Sequence, residues 1–158
     1  LVRLLEKYVA RYRVTMLAYC LMPNHYHLVV RQEEGGSVSR FLRTTFNAFT
    51  QTVNVMTGHS GTLFQGEAKG ILVDTDWYAL NVICYVHLNP VRARLVRNCA
   101  DWEFSNYREW IGRREGPLVD LNFRDEHFGG PANYRRYVEG YQKTVEANVR
   151  EFLQGPKT

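Results

Sequence analysis

Cysteine is scarce. Cys20, Cys84 and Cys99 make an odd number with no close pairing, which excludes a disulfide framework and offers no Cys-x-x-Cys zinc ligands. A reducing, cytoplasmic setting is the expectation. No apolar run approaches the roughly 18 residues that a membrane-spanning helix needs, so no membrane partner is expected. Neither a signal peptide nor an internal repeat nor a low-complexity tract is visible. Extreme charge is missing too: the net charge of +4 and pI of about 9.1 are compatible with a polyanionic partner but do not identify one. An initiating methionine is also absent. The chain opens on Leu1 inside a helical pattern, and further N-terminal residues are expected to precede it.

What is present is ordinary in bulk. A chain of 158 residues with 45% hydrophobic and 23% charged residues can bury a real core. The aromatic share of 13%, with ten tyrosines, is high. Core packing accounts for most of these rings, and tyrosines beside arginines also suit stacking on unpaired bases.

Periodicity gives the order of elements. Residues 1–12 carry a helical apolar stripe through Leu1, Leu4, Leu5, Tyr8, Val9 and Tyr12. Residues 14–21 read as a strand with Val14, Met16, Ala18 and Cys20 on one face. The Met22-Pro23-Asn24 turn and a strand over 25–31 complete a hairpin. Ser37 or Ser39 caps a helix reaching Met56, with Val38, Leu42, Phe46, Phe49, Val53 and Met56 as its apolar stripe. Arg40 and Arg43 lie on its polar face. Residues 69–74 are expected to form a third strand. Thr75 then caps a helix over 76–89, packed through Trp77, Leu80, Cys84 and His87 or Leu88, that Pro90 terminates. Asn81, Tyr85 and Asn89 share another face. A basic stretch with Arg92, Arg94 and Arg97 follows, then a short aromatic helix within 101–111, an irregular segment over 112–130 and a terminal helix over 131–153.

The chemistry starts from His25 and His27. Side chains two apart on a strand share a face, so two imidazoles could grip one divalent cation. By residue type alone, such a pair is more often polar decoration of a half-buried strand. Asn89 can add a carbonyl oxygen from a helix end, and Tyr85 projects one turn before it. A His, His and amide-oxygen site with open positions suits Mg2+ or Mn2+ and accepts phosphate oxygens. A tyrosine beside a metal-bound phosphate is a candidate nucleophile, but spacing does not select Tyr85 from the other tyrosines.

The run Tyr19-Cys20-Leu21-Met22-Pro23-Asn24-His25-Tyr26-His27-Leu28-Val29-Val30 resembles the signature of the REP-associated tyrosine transposases. These are HUH single-strand nucleases (histidine, bulky hydrophobic, histidine), related to the single-tyrosine transposases of small insertion sequences. Leu63-Phe64-Gln65-Gly66, then Tyr85-Val86-His87-Leu88-Asn89-Pro90-Val91-Arg92-Ala93, then Asp101-Trp102 with Ser105, Tyr107 and Gly112 resemble later blocks of that family. One His-x-His is a weak signal; these blocks in this order, over residues 14–112, are specific.

The resemblance implies an α+β fold: a ferredoxin-like antiparallel sheet with helices on one face, over residues 1–112, and a C-terminal helical tail over 113–158 packed on it. It implies a metal-dependent enzyme that cleaves and rejoins single-stranded or hairpin DNA at repeated palindromes, as in DNA transposition, leaving a 5′-phosphotyrosine link and a free 3′-OH. His25 and His27 match the metal-binding pair, Tyr85 the nucleophile and Asn89 a third ligand. Mg2+ or Mn2+ is the expected cofactor. Arg40, Arg43, Lys69, Arg92 and Arg94 are the expected DNA contacts, and the chain is expected to act as a monomer or homodimer. Two departures stand out. The family's opening strand is not in the sequence, and Glu67-Ala68 replaces a basic residue and an aromatic, with Lys69 as the compensating charge. The alternative is a domesticated or catalytically weak module that binds palindromes.

Overall fold

The computed structural model describes residues 1–141. Its elements are α1 (Val2–Val9), β1 (Val14–Leu21), β2 (Tyr26–Gln32), α2 (Val38–Thr57), α3 (Asp76–Arg92), a 3-10 turn (Cys99–Asp101), α4 (Tyr107–Trp110), α5 (Asn122–Phe128) and α6 (Pro131–Tyr141). The chain is α+β, with a two-stranded sheet of β1 and β2 among the described residues. It divides into two compact units: residues 1–15 with 30–70, and residues 16–29 with 71 onward. The hairpin strands run through both.

In the first unit α1 packs on α2. Leu5, Tyr8, Val14, Phe41 and Phe46 are buried there, and Tyr12 and Thr44 share a hydroxyl hydrogen bond of 2.8 Å. Ser37 caps α2 by accepting from the Arg40 N–H at 3.3 Å. Gly58 ends α2 in the left-handed region at φ 64°. The helix is rotated from the expected stripe: Phe41 and Thr45 are its most buried positions, while Met56 is 79% exposed. Gly36 closes the turn after β2, where a Cβ would meet the Arg13 carbonyl oxygen at 2.3 Å. Phe64 lies edge-on to Phe46 at 4.9 Å and pins the Leu63-Phe64-Gln65-Gly66 segment to α2.

In the second unit α3 is the central element, with Ala79, Ile83, Cys84, Val86 and Leu88 in the core. Thr75 caps it by accepting from the Tyr78 N–H at 3.3 Å. Pro90 does not end the helix at Asn89. It lies buried inside α3, and the turn continues because the Ala93 N–H donates to Asn89 O at 2.8 Å and the Leu95 N–H to Pro90 O at 2.9 Å. Trp77 is exposed and is no packing residue, whereas Asn81 is buried.

Strand β1 is buried on both faces from Met16 to Cys20 rather than on one, as a near-continuous apolar run allows. Its edge is covered by irregular chain: Met16 bridges Val119, Cys20 bridges Ser105, and the Leu21 N–H donates to Phe104 O at 2.9 Å. Residues 69–74 form no strand. They pair with no ladder among the described residues and leave Leu72 87% exposed, and β-propensity without a partner strand does not make one. Segment 112–130, expected to be irregular, contains α5. Helices α5 and α6 belong to the same unit as α3. The expected terminal helix is present as α6 to Tyr141; its continuation to 153 lies outside the described residues.

One polar network holds this unit together. Asn106 Oδ1 accepts from the Tyr19 N–H at 2.6 Å and from His87 Nε2 at 3.0 Å. Asn106 Nδ2 donates to Leu17 O at 3.1 Å, which also receives Trp110 Nε1 at 2.9 Å. Since Oδ1 only accepts, His87 carries its proton on Nε2. Bare Nδ1 therefore accepts from the Tyr134 hydroxyl at 2.6 Å. β1, α3, α4 and α6 are thus tied through one amide and one imidazole. Asn106→Leu strands the buried Tyr19 and His87 donors, at about 1–3 kcal/mol each. Urea unfolding should show a loss of about 3 kcal/mol or more; a loss below about 1 kcal/mol would mean the network carries no strength.

Candidate functional site

The second unit brings His25, His27, Tyr85, Asn89 and Arg92 into one region. The hairpin turn is closed by the Met22 N–H donating to His25 O at 2.9 Å. His25 sits in that turn, one residue before β2, not in the strand as expected. The two imidazoles still meet, with ring centres 4.9 Å apart and planes at 87°. The root of the turn is anchored by Trp102 Nε1, which donates to Leu21 O at 3.1 Å. This gives the Asp101-Trp102 block a purpose: it fixes the end of β1, where the turn that carries His25 begins.

Each histidine has a defined state. Asn24 Oδ1 lies 2.7 Å from His25 Nδ1. An amide oxygen only accepts, so a proton sits on Nδ1, and Nε2 is the nitrogen that the neutral ring offers a cation. His27 is half-buried, and its Nε2 is buried with no hydrogen-bond partner. Burial first, and the neighbouring His25 second, push His27 down to about 4. His27 is therefore neutral near pH 7, the form that can bind a cation.

Tyr85 comes from α3 in the same chain. Its ring stands edge-on to His27, with centres 6.0 Å apart and planes at 84°. Because neighbouring helix positions differ by about 100°, burying His87 and Cys84 directs Tyr85 to the outer side of α3. Asn89 follows one turn later, and its Nδ2 donates to Tyr85 O at 3.0 Å. That bond uses the amide's donor and leaves Oδ1 as the atom available to a cation. Arg92 places its guanidinium 4.6 Å from the centre of the Tyr85 ring, a contact the sequence did not reveal.

Of the other basic candidates, Arg40, Arg43 and Lys69 belong to the first unit and Arg94 to the second. Arg40 and Arg43 are exposed on α2, Lys69 is exposed in the loop after it, and Arg94 is exposed beyond α3 with a left-handed backbone at φ 59°. Among the described residues no group of three or more His, Cys, Asp or Glu side chains is placed to hold a metal. A third ligand must therefore be of another type, as the Asn89 amide is. No described helix is long and apolar enough to cross a membrane.

His87 and His27 generate a pH dependence. Burial holds His87, like His27, at about 4, against about 6.5 in an unfolded chain. The unfolded chain binds the extra protons, so stability is complete above pH 6.5 and declines as pH falls toward 4. Urea midpoints between pH 7.5 and 4 should drop across that window, and imidazole NMR should report both rings neutral at pH 5.5. A flat stability profile would contradict the buried neutral assignment.

The chain matches no family model, and no curated protein matches it. Among solved structures it is similar to a REP-associated tyrosine transposase bound to a REP hairpin. The TM-score is 0.60 at 20% identity, covering 77% of this chain and 74% of the other. At that identity the likeness is one of fold.

Proposed function

We propose that this chain cleaves and rejoins single-stranded or hairpin DNA through Tyr85, as tyrosine transposases do. The meeting of Tyr85 with His27 in one chain, rings 6.0 Å apart, carries the reading. The fold shared with a transposase bound to a REP hairpin supports DNA as the partner and repeated palindromes as the target class.

In this reading Tyr85 Oη attacks a backbone phosphorus and loses its proton. The bond from phosphorus to the 3′ oxygen breaks, and that oxygen takes up a proton and leaves as a 3′-OH. The 5′ phosphate remains as a diester on Tyr85, so its bond energy is kept and a 3′-OH can reverse the step without an outside energy source. Arg92 packs its guanidinium over the Tyr85 ring, 4.6 Å from the ring centre. The donor set fits a divalent cation, Mg2+ or Mn2+: His25 Nε2, orphaned His27 Nε2 and Asn89 Oδ1 would hold it. When bound, it supplies Lewis-acid polarisation of the phosphoryl oxygen. Asn24 orients His25, as a hydrogen-bonding partner of a ligand does. Arg40, Arg43, Lys69 and Arg94 serve DNA phosphates, so affinity falls with added salt. His25, His27, Tyr85 and Asn89 come from one chain, which supports a tyrosine acting on its own chain's histidines, in a monomer or a homodimer.

The test mixes the protein with Mn2+ and end-labelled hairpin DNA and resolves the products after denaturation. A covalent adduct is expected, and Tyr85→Phe abolishes it. Adduct persisting in that variant moves the nucleophile elsewhere. Hairpin binding without adduct in the unsubstituted chain favours a palindrome-binding module.

His25→Ala separates chemistry from binding. Adduct formation should fall by at least the roughly tenfold to hundredfold that losing a ligand's partner costs. Hairpin affinity should change by less than about threefold. Equal losses in both would contradict a role for His25 in the chemical step.

A further inference from the structure

All of the chain's excess charge lies in the first unit. Residues 1–15 with 30–70 carry eight Lys and Arg against four Glu, a balance of +4, which is the net charge of the whole chain. The remainder carries twelve charges of each sign. The histidine site does not account for this surplus, because His25, His27, Tyr85, Asn89 and Arg92 belong to the other unit.

The surplus is arranged in a row. Arg3 and Lys7 are exposed on α1, four residues apart. Arg11 is exposed just beyond it, and the Tyr12 N–H donating to Tyr8 O at 3.1 Å carries the helical turn through that position. At 100° and 1.5 Å per residue, the three lie within about 80° of one another and recur about every 6 Å. They are turned away from the side that α1 buries through Leu5 and Tyr8. Glu6, the acidic residue of α1, is about 100° from Lys7. Lys7 Nζ lies 5.4 Å from the centre of the Tyr8 ring and the Arg11 guanidinium 5.7 Å from that of Tyr12. Such contacts order the stems and leave the charge intact. None of the three cations has an ion pair with a described residue. The row continues onto α2. The hydrogen bond between Tyr12 and Thr44 brings α2 beside Arg11. Exposed Arg43 precedes Thr44, and exposed Arg40 lies one turn before it. α2 contains no acidic residue.

The chemistry of this face selects its partner. Unpaired bases are held by stacking on aromatic rings, and the exposed aromatics among the described residues, Trp77, Phe104 and Tyr137, all belong to the second unit. An anionic bilayer is held by a helix whose apolar side enters the interface, and α1 spends that side on α2. The ligand that remains presents phosphates in a fixed row with its bases turned inward and paired, which is a nucleic-acid duplex. We propose that Arg3, Lys7 and Arg11, with Arg40 and Arg43, grip the backbone of the paired stem of the hairpin without reading its sequence. This rests on the DNA reading above and gives stem affinity to one unit and the chemistry to the other.

The probes are a blunt DNA duplex, an oligothymidine with the same number of phosphates and phosphatidylserine vesicles, each titrated into the full chain across about 50–200 mM salt. Duplex affinity should fall with salt. In Arg3→Gln/Lys7→Gln/Arg11→Gln the slope of log affinity against log salt should be shallower by about 3, one for each lost contact. Lys7→Gln alone should make it shallower by about 1. Glutamine keeps helix propensity, so the urea midpoint should not move. Arg97→Gln/Arg113→Gln/Arg136→Gln removes the same charge from exposed positions of the second unit and should leave the slope unchanged. Equal effects of the two triple variants would reduce the row to net charge and overturn the proposal. So would an equal loss on oligothymidine, or vesicles binding through α1 more tightly than the duplex does. Failure of the nuclease reading is seen separately: duplex binding that depends on α1, with no adduct on hairpin DNA, condemns the role of Tyr85 and leaves the grip standing.

Discussion

The second unit depends on a single buried amide. Asn106 satisfies the backbone of β1 at Leu17 and Tyr19 and at the same time fixes the tautomer of His87. An amide has a defined donor end and a defined acceptor end, so it transmits orientation as well as attraction. Anchoring His87 inward sets the rotation of α3 about its own axis. Tyr85, two residues earlier, then has little choice but to face the histidine turn. The position of the candidate nucleophile is in this sense decided on the far side of its helix.

Local signals were legible. The hairpin, the Ser37 and Thr75 caps and the α3 core could be read because each depends on a few adjacent residues. What failed depended on partners far along the chain. Residues 69–74 have strand-like composition but no ladder to join. Trp77 looked like packing, yet tertiary contact leaves it exposed and buries Asn81. Pro90 has lost its N–H but sits where the following turn closes without it. A proline rule that is sound on average was overridden by the carbonyls of Asn89 and Pro90 finding donors further on.

For the site, spacing proposed two histidines and family resemblance picked one tyrosine; geometry then brought them together. The sequence marked Arg92 as one cation in a basic stretch and could not tell that it folds back over Tyr85. It offered His87 only as one of two packing alternatives and could not supply its partners, Asn106 and Tyr134, which lie in later blocks. Composition reports that charge and polarity exist; only the fold reports which groups are committed internally and which remain for a ligand.

The three cysteines, too few for a disulfide framework, are all free and buried. Burial raises Cys20 and Cys84 to about 12 and Cys99 to about 11. Thiolate is the reactive form, so Cys84 offers no sulfur chemistry beside Tyr85. Toward a maleimide the folded chain behaves as though it had no cysteine at all. A single cysteine introduced at exposed Arg43 would therefore take a fluorophore alone, with the native thiols left in place.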